Sequence, residues 1–140
     1  MNQKKLIAAI DGSTHSNKVL DKAIEFTKLL NAQIVLVYCH KRFPTLLEEP
    51  YREQAITSIL FETGELLKPY IKKLDESGVS FVNRLMEEPA GTVIPSIAEI
   101  EKCEMIIMGS RGLTELKGLI VGSVTHRVLH LAKCPVLVVK

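Results

Sequence analysis

The 140-residue chain contains no tryptophan, few cysteines and no long apolar run, and each scarcity excludes a class of protein. Its three cysteines, Cys39, Cys103 and Cys134, are too few and too scattered for a disulfide framework or a zinc site with CxxC spacing. We interpret them as small hydrophobic residues in a reducing compartment. No stretch approaches the roughly 18 apolar residues of a membrane span, and the apolar run at 6–10 is too short for a signal-peptide core. We therefore expect a soluble, cytoplasmic protein that makes no contact with a membrane.

The chain also lacks a large excess of charge of one sign. The 18 Lys and Arg residues nearly balance the 16 Asp and Glu residues, and the net charge is +2. The charges are interspersed, so no basic patch suggests nucleic acid as a partner. A chain of this length suits one domain, here residues 1–140, with a core large enough to fold without metals or disulfides.

What the sequence does contain is five short apolar runs rich in Val and Ile, at 6–10, 34–39, 79–85, 105–108 and 136–139. Four of them are almost continuously apolar, which is typical of parallel strands covered on both faces. The run at 79–85 is interrupted by Ser80 and Arg84, so we place it near an edge of the sheet.

Helical patterns lie between these runs, and a long loop is expected at 40–50, after the second run. Apolar stripes predict helices over about 19–30, 56–74, 92–102 and from Ser123 to just before Cys134, with Ser13, Thr14 and Ser16 as candidate caps of the first. We expect Pro69 to kink or split the second helix and Pro95 to fall in the first turn of the third. The order β-α-β-α-β-α-β-α-β predicts an α/β fold: a single doubly wound, Rossmann-like domain whose five-stranded parallel sheet carries helices on both faces.

In such a fold, ligands bind beyond the carboxyl ends of the strands. The first strand is followed by Asp11-Gly12-Ser13, and the fourth by a segment with four glycines in the 14 residues 109–122. Glycines here, followed by a helix that begins near Ser123, are typical of a polyphosphate site, because free amides and the helix dipole attract anions. The alternative is a purely structural turn with a serine cap.

The glycines Gly109, Gly112 and Gly122, followed by Ser123, fit the nucleotide-binding signature G-x2-G-x9-G-[S/T] of the universal stress protein family. The Asp11-Gly12-Ser13 turn, the Ile106–Gly112 stretch and the Cys134–Val139 end also resemble this family, so the resemblance covers essentially the whole chain. Neither a Walker A motif nor GxGxxG occurs.

The resemblance implies a role for each matching position. Asp11 would approach the ribose and phosphates, although a turn-forming carboxylate is the alternative. Ala9, Ile10, Val37 and Cys39 would line the adenine site, where relatives often carry Val at the position of Cys39. Met108 and Gly109 would flank adenine and ribose, Gly112 would touch the phosphates, and Arg111 and Lys117 would add charge or remain solvated. The β- and γ-phosphates would be held at the helix start by Gly122, Ser123, Val124 and Thr125.

The function implied is a stress-response regulator that binds ATP, or ADP or a cyclic nucleotide, with Mg²⁺. Alternatives are a slow ATPase or phosphotransferase and an interaction module that needs no nucleotide. We assign no catalytic residue and no protein ligand for a metal, since no base beyond Asp11 and no GxSxG or HExxH motif stands out. If the run Val136–Val139 is an edge strand, its unpaired backbone predicts a homodimer through that strand, as the family resemblance also implies.

Overall fold

The computed structural model describes residues 3–111 and 121–140. The predicted positions Gly112 and Lys117 lie outside the described residues. Strands and helices alternate as expected, and their bounds are β1 Lys4–Ile10, α1 His15–Leu30, β2 Ala32–His40, α2 Tyr51–Ser77, β3 Phe81–Glu87, α3 Ala90–Ile100, β4 Met105–Gly109, α4 Ser123–Leu131 and β5 Val136–Val139. In this described part, no helix is both long and apolar enough to cross a membrane.

The five strands form one parallel sheet in the order β3-β2-β1-β4-β5. The chain therefore builds outward from β1 through β2 to β3, crosses the sheet, and continues on the other side through β4 to β5. This arrangement confirms the predicted doubly wound fold and the edge position of β3. The opposite edge is β5.

The central strand β1 explains why the apolar runs are continuous. Leu6, Ala8 and Ile10 face one core with α1 and α2, whereas Ile7 and Ala9 face a second core with α3 and α4. Side chains alternate between the two faces of a strand, so a strand covered on both faces needs apolar residues at every position. The predicted helices on both faces are confirmed.

We expected Pro69 to kink or split the second helix, and the split is wrong, because α2 continues through Pro69 from Tyr51 to Ser77. Proline removes one helical hydrogen bond, but the neighbouring side chains Leu67, Tyr70 and Leu74 are buried against the first core. That burial favours a continuous helix over a break. The N-terminal half of α2 is mostly exposed and carries few apolar residues at helical spacing. The apolar stripe in the sequence therefore did not mark where this helix begins.

Three other predicted elements have boundaries that differ from the structure by one or two residues. Strand β3 covers Phe81–Glu87 because it pairs with β2 as far as the His40–Glu87 position, so Val79 precedes the strand. Helix α3 begins at Ala90, which places Pro95 beyond the first turn, contrary to the expectation. The long loop covers 41–50, since His40 still belongs to β2.

Candidate functional site

A cleft of about 770 Å³ opens at the carboxyl ends of β1 and β2, beside the start of α4. A smaller cavity of about 80 Å³ lies next to it, against the end of β4. The smaller cavity lies between β1 and β4, where the strand order reverses, and the cleft adjoins it; doubly wound folds bind ligands at this reversal.

Twelve of the thirteen predicted site residues line these two spaces. The cleft is lined by Ile10, Asp11, Val37, Cys39, Gly122, Ser123, Val124 and Thr125. The smaller cavity adds Ala9, Met108, Gly109 and Arg111. The thirteenth, Gly112, lies outside the described residues. The structure thus brings together residues that are up to 116 positions apart in the sequence, from Ala9 to Thr125.

The turn after β1 is built by its own side chains. The Oδ1 atom of Asp11 accepts hydrogen bonds from the amide of Ser13 at 2.9 Å and from the hydroxyl of Ser16 at 3.3 Å. The Ser16 hydroxyl oxygen in turn accepts from the amide of Gly12 at 3.1 Å. Gly12 has φ +84°, a conformation that only glycine adopts without strain. Asp11 therefore has the turn-forming role considered from the sequence, made through one carboxylate oxygen, and it also lines the cleft.

The end of β4 is joined directly to the start of α4. The hydroxyl of Thr125 donates to the carbonyl of Gly109 at 2.7 Å, and the amide of Gly122 donates to the carbonyl of Ser110 at 2.7 Å. Because the hydroxyl proton of Thr125 is used in this contact, its backbone amide is the donor left for a ligand. These two bonds fix the helix start relative to the sheet.

Helix α4 presents free amides to the cleft. Its first intrahelical bond runs from the amide of His126 to the carbonyl of Gly122 at 2.9 Å. The amides of Ser123, Val124 and Thr125 precede that bond, and no side chain in the described part of the chain caps the helix. Three N–H groups that donate to no residue within 3–111 and 121–140, at the positive end of a helix dipole, make a ready site for an anion.

The other wall of the cleft is largely apolar. Val37 is buried and Cys39 is half-buried, and both face the start of α3 across the cleft. Burial, helped by the carboxylate of Glu88, raises the pKa of the Cys39 thiol to about 11. The side chain is therefore an uncharged thiol at neutral pH, which suits a wall against a flat, uncharged ring.

Several cleft residues were not found from the sequence: Tyr38, Lys41, Arg42, Glu88, Pro89, Ala90, Gly91, Thr92, Ile94 and Arg127. Glu88 directly follows the end of β3 at Glu87. With the correct end of β3, the rule that ligand sites follow strands would have found Glu88. Gly91 allows α3 to approach α4, because a Cβ there would lie 2.8 Å from Cγ of Arg127. Nothing in the sequence signals that contact.

In residues 3–111 and 121–140, no group of three or more His, Cys, Asp or Glu side chains is placed to hold a metal ion. The charged side chains around the cleft are the cations Lys41, Arg42 and Arg127 and the anions Asp11 and Glu88. Arg42 donates to the backbone carbonyl of Glu88 at 3.2 Å. The arrangement favours an anionic ligand at the α4 side of the cleft.

Comparison with known proteins agrees with this description. Residues 2–140 match the model of the universal stress protein family, so the chain belongs to that family. It is 34% identical over 139 residues to universal stress protein MJ0531 of Methanocaldococcus jannaschii, covering 98% of this chain and 82% of the relative. A universal stress protein of Thermus aquaticus is 31% identical, with 98% of each chain covered.

Solved structures share the fold. That of the hypothetical protein MJ0577 superposes with a TM-score of 0.86 at 27% identity, covering 100% of this chain and 97% of that one. A universal stress protein in complex with cAMP gives a TM-score of 0.63 at 22% identity. One from Archaeoglobus fulgidus in complex with dAMP gives 0.62 at 17% identity. At these two lower identities the likeness concerns the fold alone.

Proposed function

We propose that this universal stress protein binds an adenine nucleotide, ATP with Mg²⁺ in particular, and acts as a nucleotide-dependent regulator in the stress response. The observation that carries the proposal is the start of α4, where three free amides open onto a cleft of about 770 Å³ at the change of strand order. Those amides suit phosphates, and the cleft has room for a nucleoside beside them.

The chemistry of the walls supports a particular orientation. The base would lie against Val37 and the uncharged thiol of Cys39, and the phosphates would lie at the amides of Ser123, Val124 and Thr125. The carboxylate of Asp11, which uses Oδ1 in its own turn, would offer its other oxygen to the ribose hydroxyls. The relatives of the same fold in complex with cAMP and dAMP support an adenine nucleotide as the ligand class.

Magnesium would enter on the phosphates, because the described residues offer no cluster of ligands for it. Among the carboxylates of the described residues, that of Asp11 lines both cavities, and it is a suitable oxygen ligand for this ion. When bound, Mg²⁺ supplies positive charge to the phosphate chain. The amides of α4 would position that chain.

We propose binding rather than turnover as the function. Hydrolysis needs a base or a water-orienting group aimed at the terminal phosphate. Asp11 was the sole candidate from the sequence, and its Oδ1 atom is engaged by Ser13 and Ser16.

The exposed edge of β5 supports a homodimer as the working form. In the described part of the chain, Val136–Val139 pairs with β4 on one side, and all four residues are half-buried. A short apolar edge strand invites another strand, and the same strand of a second copy would pair with it across a two-fold axis.

The test of nucleotide binding begins with the absorbance spectrum of the purified protein. With no Trp and three Tyr, the chain absorbs weakly, so a co-purified adenine nucleotide would be visible near 260 nm. Calorimetric titration of nucleotide-free protein with Mg·ATP and Mg·GTP then measures affinity and base preference. Saturable binding with a preference for ATP is expected. If no nucleotide binds, the chain is an interaction module of the same fold.

A further inference from the structure

Glu88 lines the cleft, and the nucleotide contacts proposed above leave it without a role. Its backbone is held on both sides, because its amide donates to the carbonyl of His40 at 2.9 Å and its carbonyl accepts from Nε of Arg42 at 3.2 Å. The first of these bonds continues the pairing of β3 with β2 past the last residue of the strand. Glu88 therefore has a fixed position at the edge of the cleft.

The side chain of Glu88 lies on the same side of the sheet as the apolar wall of the cleft. Cys39 pairs with Met86, and residues two apart in a strand point to the same face, so Glu88 shares the face of Cys39 and Val37. Burial raises the pKa of the Cys39 thiol and of the Tyr38 phenol, and the Glu88 carboxylate is close enough to both groups to add to the rise. This carboxylate thus stands beside the wall proposed for the base.

The carboxylate of Glu88 is not used within the described part of the protein. Among residues 3–111 and 121–140, no group donates a hydrogen bond to it and no cation lies within ion-pair distance. The neighbouring acid Glu87 differs, because its carboxylate accepts from the amide of Phe43 at 3.2 Å and lines neither cavity. An acceptor that faces a cleft and lacks a protein donor is available to a donor of the ligand.

The strand order places the parts of the proposed ligand in a row. The phosphates would lie at the start of α4 beside β4, the ribose at Asp11 after β1, and the base against Val37 and Cys39 on β2. Strand β3 comes next, about 4.8 Å further along the sheet. Adenine carries its 6-amino group on the six-membered ring, away from the ribose. That group is therefore the part of the base that points toward the end of β3 and Glu88.

We infer that Glu88 determines the base specificity of the cleft by accepting a hydrogen bond from the 6-amino group of adenine. This inference rests on the proposed nucleotide-binding function and deepens it. An ionised carboxylate only accepts hydrogen bonds, so it attracts an amino group at position 6 and repels the carbonyl oxygen that guanine and hypoxanthine carry there. A site built around such a contact discriminates against a base that cannot make it.

The test varies the group at position 6 of the base. Wild type and Glu88→Gln are titrated calorimetrically with the Mg²⁺ complexes of ATP, purine riboside triphosphate and ITP, which carry an amino group, a hydrogen and an oxygen there. Wild type should bind ATP about tenfold more tightly than purine riboside triphosphate, the equivalent of one hydrogen bond to a charged group, and should bind ITP more weakly still. A glutamine amide can accept from an amino group or donate to a carbonyl, so Glu88→Gln should bind ATP and ITP with similar affinity.

Two controls separate base recognition from a general effect of the charge. Glu87→Gln removes the adjacent charge, keeps an oxygen for the amide of Phe43, and should retain the wild-type preference for ATP over ITP. Inorganic tripolyphosphate, which has no base, should bind equally to wild type and Glu88→Gln. Unequal binding of tripolyphosphate would overturn the inference, since it indicates an effect on the phosphate side. Both acids are exposed, so neither variant should lose the fold.

The remaining outcomes distinguish the inference from the proposed function. If wild type binds ATP and ITP equally, or if Glu88→Gln keeps the full preference for ATP, the inference is wrong and nucleotide binding stands. GTP, titrated alongside, should bind more weakly than ATP. Tighter binding of GTP would overturn both the adenine preference and the contact at position 6, because the carboxylate would then face the amino group at position 2 of guanine. If wild type binds no nucleotide at all, the proposed function fails and the role of Glu88 fails with it.

Discussion

Adding a single methyl group at two glycines should change the stability of the fold in opposite directions. In Gly109→Ala, the new Cβ would lie 2.9 Å from Cβ of His15 and 3.1 Å from the carbonyl oxygen of Arg111. Gly109 does not have a positive φ, so the penalty is steric and not conformational. Neither neighbour is the free end of a flexible side chain, so α1 and the end of β4 must separate. Overpacking of this kind costs about 1–3 kcal/mol.

Gly64 is the matched control. It lies inside α2, and a Cβ there would meet nothing within 4 Å. Replacing a glycine in a helix interior with alanine gains about 0.8–1 kcal/mol from helix propensity. Gly64→Ala should therefore be more stable than wild type, and Gly109→Ala less stable.

Urea denaturation followed by circular dichroism measures both differences in the free energy of unfolding. For a chain of this size, each kcal/mol shifts the melting temperature by about 3–5 °C. Because Gly109 and His15 line the smaller cavity, Gly109→Ala should also weaken ATP binding, whereas Gly64→Ala should not. If Gly109→Ala is as stable as wild type, the close contact with His15 does not exist in solution and the reasoning is refuted.

Three further predictions concern the cleft, the dimer and an ion pair. Gly122→Gln would place a side chain at the buried start of α4. Calorimetry should therefore show an ATP affinity lower by about 100-fold, which is the equivalent of a few kcal/mol. Unchanged affinity in a folded variant would exclude this site. Light scattering after size exclusion should give twice the 15.6 kDa chain mass for wild type. Val138→Pro should be monomeric or precipitate, because proline removes a backbone hydrogen-bond donor from the strand. A monomeric wild type would disprove the interface. Glu101 accepts two hydrogen bonds from Arg84 at 2.9 Å, which hold the pKa of its carboxyl below the ordinary value. Its stabilising contribution is therefore complete above the unfolded pKa of about 4.3 and is lost as the pH falls through the lower folded pKa. Glu101→Gln should cost about 1 kcal/mol at pH 7, since Arg84 is partly exposed, and the difference from wild type should disappear in acid; a constant difference across this range would contradict the pairing.

Much of the fold could be predicted because a strand that is buried on both faces appears in the sequence as a continuous apolar run. Buried apolar residues occupy every position of β2 from Ile34 to Val37, and that continuity predicted the sheet. Element ends were less predictable, because they depend on pairing and not on local composition. The end of β3 follows the length of β2, and nothing within residues 79–87 encodes that length.

The candidate site could be predicted where its residues lie close together in the sequence. It could not be predicted where the fold brings distant residues together. The glycines at 109 and 122 predicted a phosphate site through the family signature, and they line the two neighbouring cavities. By contrast, the proximity of Arg127 to Gly91 comes from two helices that pack across one face of the sheet. The closeness of His15 to Gly109 likewise depends on how α1 approaches the end of β4, which no local pattern records.

Strand β1 has a consequence for how the protein opens. Its residues Leu6, Ile7 and Ala8 have no exposed surface, and they contribute alternately to the cores on the two sides of the sheet. If either helical layer detaches, the same strand loses half of its packing, so neither layer is stable without the other. The amides of β1 should therefore exchange with solvent only when the whole molecule unfolds, whereas the exposed N-terminal half of α2 can fray on its own. Asp11 and its turn come directly after this strand, whose amides should exchange most slowly. The floor of the cleft is therefore attached to the part of the molecule that unfolds last.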